Sequence, residues 1–511
     1  MAAGHPATVA AATEILEDGG NAFDAALAAL CAACVAEPVL ASLGGGGFLL
    51  ARPADGAPRV YDFFTHTPRR RRPEDAVDFH PVVVDFGATT QEFHVGLGAA
   101  ATPGTVRGLF AAHADLCRLP MTRIVEPGAR LASQGVAVQP LQAYIFRLVA
   151  PILLGSPAGR ALFAGTETPD APLREGETFR WPALSDTLET LAREGERLFY
   201  EGEIARAIVA ACDQHGGQLT LDDLRTYTAE RRRPLERTFD TAQVLTNPPP
   251  AAGGILIGFA LDILDVNGLR AAGCGGPGHA VLLARAMRLV NRARADSGLA
   301  EDPDAAAARL VDPALLAAYR AEVAGAPPAH RGTTHVSVID RHGNVAALSL
   351  SNGEGCGFLR DGDGFMLNNM LGEEDLNPQG FHRWTPDRRM SSMMAPTAAI
   401  ERDGSLTALG SGGSNRIRSA ILQVLVNVLT FRLPLADAVE AARLHHERDR
   451  LDIEPGWTEA AVRAAAAEAP EHTLWPDRNL FFGGVHAVRR GRRGDLTGHG
   501  DPRRGGHAAV V

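Results

Sequence analysis

Hydrophobic and polar positions alternate along the chain in a way that predicts helices first and strands later. Residues Ala7 to Asp18 read as a helix that stops at Gly19-Gly20, and Asn21 is placed to cap a second helix from Ala22. That second segment runs through AALAALCAACVA, apolar on every side, and predicts a buried helix. SLGGGGFLLAR then sets four glycines, Gly44 to Gly47, ahead of an apolar strand, where glycine permits positive φ or close backbone approach. The middle, from about 104 to 300, reads as mostly helical, with Thr220 capping a helix in LTLDDL. Residues 296 to 332 are polar and proline-containing and predict a connector or an exposed loop. Strands dominate after it, at 336–339, 345–350, 364–368 and 397–409, followed by a helix from Ile417 to Thr430. The chain contains no internal repeat.

Composition narrows the class. A chain of 511 residues, 45% hydrophobic and 22% charged, can bury a large core. The net charge of -10 argues against a nucleic-acid partner, whose binding surface would be basic. All the non-histidine cations are arginine, which excludes a Schiff-base or lysine-general-base enzyme. The six cysteines show no zinc pattern, and Cys31 and Cys34 sit inside the buried helix, where core packing is the expectation. The start of the sequence has neither the basic region nor the apolar run of a signal peptide. Its apolar stretch is broken by Glu37 and Pro38 and makes a poor membrane span, so a cytoplasmic protein is expected. The glycine run follows a helix and precedes a strand, the reverse of a dinucleotide fingerprint.

The chemistry concentrates at RGTTHVSVID, residues 331–340. Two threonines at a strand start are ordinary β-formers, and that reading stands unless one is activated. A threonine hydroxyl needs a base. His335 shares a strand face with Thr333, though their polar tips need not meet. A free α-amino group on Thr333 would serve instead, because such amines titrate near about pH 8. That requires cleavage between Gly332 and Thr333, and the small Gly332 suits an N-to-O acyl shift.

Motifs along nearly the whole chain resemble the γ-glutamyltranspeptidase family of N-terminal-nucleophile hydrolases. They run in order: GHP, GGNAFDAALAA, GGGGF, ATPGTVRG, FYEGEIARAI, NPPPAAGG, TTHVSVID, GFMLNNM, RMSSMMAPT and GSGGSNRI. The resemblance implies an α+β fold, a four-layer αββα sandwich in which two mature chains, 1–332 and 333–511, share one large domain. It implies self-cleavage before Thr333, with Thr333 as nucleophile and its new amine as base. Ser351 matches the hydroxyl that hydrogen-bonds the nucleophile, and Gly413 and Ser414 match the oxyanion donors, whose backbone N–H groups stabilise a tetrahedral intermediate. Asn352, Ser391 and Ser392 match substrate-contacting positions, and Glu373 matches the acid that meets a substrate ammonium. The expected partners are a small acyl substrate and the two chains of one precursor, with a homo-oligomer left open and no membrane or nucleic acid. No cofactor or metal is implied. His445-His446, read as adjacent helical residues about 100° apart, make a poor ligand pair.

Two positions depart from the family pattern. Phe64, in YDFFTHTP, stands where an arginine usually grips a substrate carboxylate, and Met370 replaces a glutamine. Arg69 to Arg72 or Arg416 are the cations considered as replacements. The resemblance therefore leaves several readings. They are a plain γ-glutamyltransferase, a relative recruited to antibiotic biosynthesis that cleaves a carbon–carbon bond in an alkylproline pathway, a glutaryl- or cephalosporin-type acylase, and an inactive scaffold.

Overall fold

The computed structural model describes residues 1–85, 90–299, 302–312, 315–316, 319, 333–377, 379–447 and 449–511. Thirteen strands build its two main sheets: β1 (Ala2–Ala3), β2 (Gly46–Arg52), β3 (Arg59–Phe63), β4 (Glu230–Arg232), β5 (Leu235–Phe239), β6 (Ala242–Thr246), β7 (Thr334–Ile339), β8 (Val345–Ser351), β9 (Thr397–Glu401), β10 (Leu406–Gly412), β11 (Gly484–Arg490), β12 (Leu496–His499) and β13 (His507–Ala508). The seven-stranded sheet has the order β13-β1-β7-β8-β2-β3-β4, and the six-stranded sheet β12-β11-β10-β9-β6-β5. Neighbouring strands in both are antiparallel.

Helices cover the outer faces. α1 (Pro6–Glu17), α2 (Ala22–Ala36), α3 (Met121–Gln134) and α4 (Pro182–Glu194) share an apolar cluster with Val336, Val338, Leu348 and Leu350 of β7 and β8. On the far side, α5 (Ala252–Ile263), α6 (Pro277–Asp296) and α7 (Arg416–Leu429) pack on the second sheet. Between the sheets, Phe48, Leu50 and Ala347 join a cluster with Leu406 and Ala408. The result is helix, sheet, sheet, helix, and the α+β sandwich expectation holds. Every residue of α2 is buried, including Cys31 and Cys34, which are free thiols whose pKa values burial pushes up.

The glycine run serves close approach rather than positive φ. A Cβ at Gly45 would lie 2.5 Å from the Ser351 carbonyl oxygen, and one at Gly47 2.3 Å from that of Ser349. Other expectations need correcting. Residues 364–368 form no strand; Leu367 makes a single bridge to Gly44. The run 397–409 is two strands, β9 and β10, split by a turn at 402–405. The middle of the chain is mostly helical, as expected, with β4, β5 and β6 set among its helices. The 296–332 segment includes a helix, Pro303–Arg309. His445 and His446 occupy a strand, Leu444–Glu447, so they point to opposite faces rather than 100° apart.

Candidate active site

β7 pairs with β8 so that Thr334 faces Leu350 and His335 faces Ser349. One step further along this register sets Thr333 opposite Ser351. Side chains alternate along a strand. Thr334 shares the helix-facing side with Val336 and Val338, and its Oγ1 donates to Glu37 Oε2 at 2.6 Å. Thr333 therefore turns toward the space between the sheets. There it and Ser351 line a cavity of about 510 Å³. Gly332 lies outside the described residues.

His335 is also on the inner face, but its ring is held elsewhere. Nδ1 lies 2.8 Å from Ser349 Oγ and Nε2 2.9 Å from Ser337 Oγ. Gly410 of β10 packs on the ring so closely that a Cβ there would come within 2.3 Å. Burial holds its pKa well below the ordinary histidine value. This histidine joins the two sheets.

The end of β10 closes on Thr333 from the second sheet. A Cβ at Gly412 would lie 1.8 Å from the Thr333 carbonyl oxygen, so only glycine fits. The chain then turns through Gly413 at φ 120° and Ser414 at φ 50°, both left-handed, and enters α7. Glycine takes such a φ without strain, and Ser414 is held by its Oγ, which donates to Asp375 Oδ2 at 2.8 Å. The N–H groups of Gly413 and Ser414 donate to no other described residue. Two free backbone donors at a helix N-terminus can receive a developing oxyanion. Ser414 lines the cavity.

Ser391 and Ser392 line the cavity from the loop before β9. The Met394 N–H donates to Ser392 Oγ at 3.1 Å, and the Gly253 N–H donates to the Ser392 carbonyl at 3.1 Å. A Cβ at Gly253 would lie 2.1 Å from the Met393 carbonyl oxygen and one at Gly254 2.0 Å from that of Asn247, which explains the two glycines of NPPPAAGG. Glu373, Asp375 and Met370 also line the cavity. Asn352 does not. It is buried, and neither its amide oxygen nor its nitrogen finds a partner among the described residues.

Phe64 forms part of the wall, stacked on Phe48 with ring centroids 5.5 Å apart. Met370, Met390, Met393, Met394 and Trp384 extend that apolar surface. The arginines considered from the sequence do not reach it. Arg69 pairs with Asp387 at 3.0 Å, Arg72 with Asp213 at 2.6 Å, and Arg71 donates to the His382 carbonyl at 2.6 Å. Arg70 is 3.5 Å from Asp213, and Arg416 donates to the Phe481 carbonyl at 3.0 Å while lying over that ring. The lining holds three other arginines among the described residues, which sequence reading passed over: Arg294, Arg388 and Arg389. Arg389 is committed to the carbonyls of Phe64 and Thr228 and to Tyr227. Arg294 donates to Asn415 Oδ1 at 3.2 Å. Arg388 is exposed at the rim, and its guanidinium has no partner among the described residues. Its only sequence signal was its position two residues ahead of RMSS's methionine.

Glu447 borders the cavity as a firmly ionised group. Burial opposes its charge, yet Arg418, His445 and Arg294 hold its pKa at about 2. His445 Nδ1 meets Ser419 Oγ at 2.7 Å. Among the described residues no group of three or more histidine, cysteine or acidic side chains is arranged to hold a metal.

Comparison with known proteins extends the sequence resemblance. The gamma-glutamyltranspeptidase family profile matches residues 8–511. The Acylase ACY 1 proenzyme of Pseudomonas sp. (strain V22) is 31% identical, over 97% of this chain and 90% of the relative. The glutathione hydrolase proenzyme of Escherichia coli (strain K12) is 28% identical, over 96% of this chain and 88% of its own. Cephalosporin acylase from Bacillus halodurans superposes with a TM-score of 0.80 at 23% identity, covering 99% and 95% of the two chains, and shares the fold.

Proposed function

Since the chain belongs to the gamma-glutamyltranspeptidase family and is an enzyme of its N-terminal-nucleophile hydrolase and transferase type, we propose that Thr333 is the residue it uncovers and acts with. In the unbroken chain the Thr333 nitrogen is an amide and cannot serve as a base. Self-cleavage changes that. Thr333 Oγ attacks the Gly332 carbonyl carbon, the C–N bond breaks, and the hydroxyl proton passes to the nitrogen. Water then hydrolyses the resulting ester, leaving a Gly332 carboxylate and a Thr333 with free amine and hydroxyl.

In turnover the α-amine takes the hydroxyl proton as Oγ adds to the acyl carbon of a small amide. The Gly413 and Ser414 N–H groups stabilise the oxyanion, one such donor being worth ~10²- to 10³-fold in rate. The amine leaves with the proton, and water or a second amine releases the acyl group from Thr333. The observation that carries this reading is the alternation of β7, which turns Thr333 to the cavity and engages Thr334 with Glu37.

The acyl group itself is read from the wall. Phe64 and Met370 offer no charge to an amino-acid head group, and four methionines give an adaptable apolar surface. This supports an acylase acting on apolar acyl chains whose carboxylate is not held at Phe64 and instead reaches Arg388 at the rim.

Denaturing electrophoresis tests the first part. Wild-type protein should give fragments 1–332 and 333–511, and Thr333→Ala a single band. Because each fragment contributes strands to both sheets, the two should co-elute until denaturant is added. A wild-type chain that stays whole on long incubation defeats the reading. A glutaryl anilide should be turned over faster than a γ-glutamyl anilide; the reverse order defeats the acyl assignment alone.

A further inference from the structure

The second threonine of the pair takes no part in that chemistry, yet it is buried and specifically held. Thr334 Oγ1 donates to Glu37 Oε2 at 2.6 Å, and Thr8 Oγ1 donates to Glu37 Oε1 at 3.2 Å. Glu37 caps the C-terminal end of α2, where the helix carbonyls make a negative charge unfavourable. It is 2% exposed, and Gly4 packs so near that a Cβ there would lie 2.5 Å from Oε2. A buried carboxyl at that place is costly unless its hydrogen bonds are needed. Its charged and titratable neighbours are Arg504 and Cys34. Arg504 in turn lies under the turn at Gly412 and Gly413, where added Cβ atoms would be 3.3 Å from Nη1 and 3.1 Å from Nη2.

We propose that Glu37 is a positioning residue, which acts through the Thr334 hydroxyl to fix the start of β7 and so aim Thr333 Oγ into the cavity. The inference rests on the reading of Thr333 as nucleophile. Once the chain is cut, Thr333 is a terminus with nothing before it, and termini are mobile unless tied down. Its only covalent restraint is the bond to Thr334. Glu37 holds Thr334 from the helix layer, and Gly412 meets the Thr333 carbonyl from the second sheet. The nucleophile is thereby gripped on both sides at the moment its upstream neighbour is lost.

Four variants test this, read by self-cleavage and by anilide turnover. Thr334→Val removes the hydroxyl at constant volume and should lower kcat ~10-fold or more with KM within about twofold, as loss of alignment does. Thr334→Ser keeps the hydroxyl and should restore kcat to within about twofold of wild type. Glu37→Gln, similar in volume, should lower kcat without a matching rise in KM. Wild-type kcat in either Thr334→Val or Glu37→Gln overturns the proposal, and the second decides if the first does not fold. A serine variant as slow as the valine one overturns it too, since packing of the methyl group would then be the cause. Thr333→Ala separates the two claims. If it still self-cleaves and turns over, the nucleophile reading fails; if it is inert while Thr334→Val is normal, only the positioning role fails.

Discussion

Gly412 is where a single atom decides whether Thr333, the proposed nucleophile, has room. Its backbone runs against the Thr333 carbonyl, and a Cβ would have to share space with that oxygen at 1.8 Å and with Arg504 at 3.3 Å. Neither neighbour can yield easily, because one is main chain and the other is buried among Asp501, Arg443 and Glu37. The strain would be relieved by pushing β10 away from Thr333. A displacement of ~1 Å at a reacting group can cost ~10²-fold in rate. Gly412→Ala should therefore abolish self-cleavage or slow it by about that factor, as read from the time course of the two fragments. Thr333 itself illustrates the reverse case. Its hydroxyl looked equivalent to that of Thr334 in the sequence, and one pleat of a strand gives the two residues different surroundings.

At the scale of elements, the helix caps are where sequence and structure agree most closely. Asn21 accepts from the N–H groups of Phe23 and Asp24, and Asp24 accepts in return from the Asn21 N–H at 2.8 Å. Thr220 and Asp223 repeat the arrangement at another helix. These signals are local, and a short stretch contains both partners. Asn21→Ala removes the cap of a helix buried on every side, and should cost about 1–2 kcal/mol in urea unfolding, against a few tenths for Asn21→Gly. A variant with an unchanged midpoint would show that packing alone defines the start of α2. Where reading failed, the deciding partner was distant. Residues 364–368 have a strand-like pattern, but Leu367 finds only Gly44 to bridge. The charged run ERRRPLERTF hides β4 and β5, which lie at the ends of their sheets, where strands need little apolar alternation. His445 and His446 looked helical until the strand Arg450–Ile453 supplied a partner. The site follows the same rule. Thr333 carries a local signal and Ser351 and the glycine turn lie in motifs that resemble the family's, whereas Arg388, Glu37 and Arg504 acquire meaning only through segments far away in the chain.

At the scale of the whole molecule, the sandwich traps an unusual amount of ionisable chemistry. Burial lowers His5, His66, His279 and His486 to about 4 and His446 to about 3, against an ordinary 6.5. Each of these folded values is depressed, so the group costs nothing above the unfolded pKa. As pH falls below about 6.5 the unfolded chain binds protons that the fold refuses, and stability declines until the folded values near 4 are reached. Glu37 acts in the opposite sense. Burial raises it to about 7, so it favours the fold at low pH and loses that contribution as pH rises from 4.5 to 7. Five groups against one leave the histidines in command, and every tenfold loss of proton affinity on folding is worth about 1.4 kcal/mol before screening and relaxation reduce it. Glu447, held at about 2 by Arg418, His445 and Arg294 against the effect of burial, extends the loss below pH 4. The melting temperature should thus be highest near neutrality and fall steeply between pH 6.5 and 4, more than surface carboxylates alone would cause. Replacing His446, whose two ring nitrogens have no hydrogen-bond partner among the described residues, by phenylalanine should flatten that fall. Calorimetry of both proteins from pH 7.5 to 4.5 checks this, and identical slopes would place the acid sensitivity elsewhere in the fold.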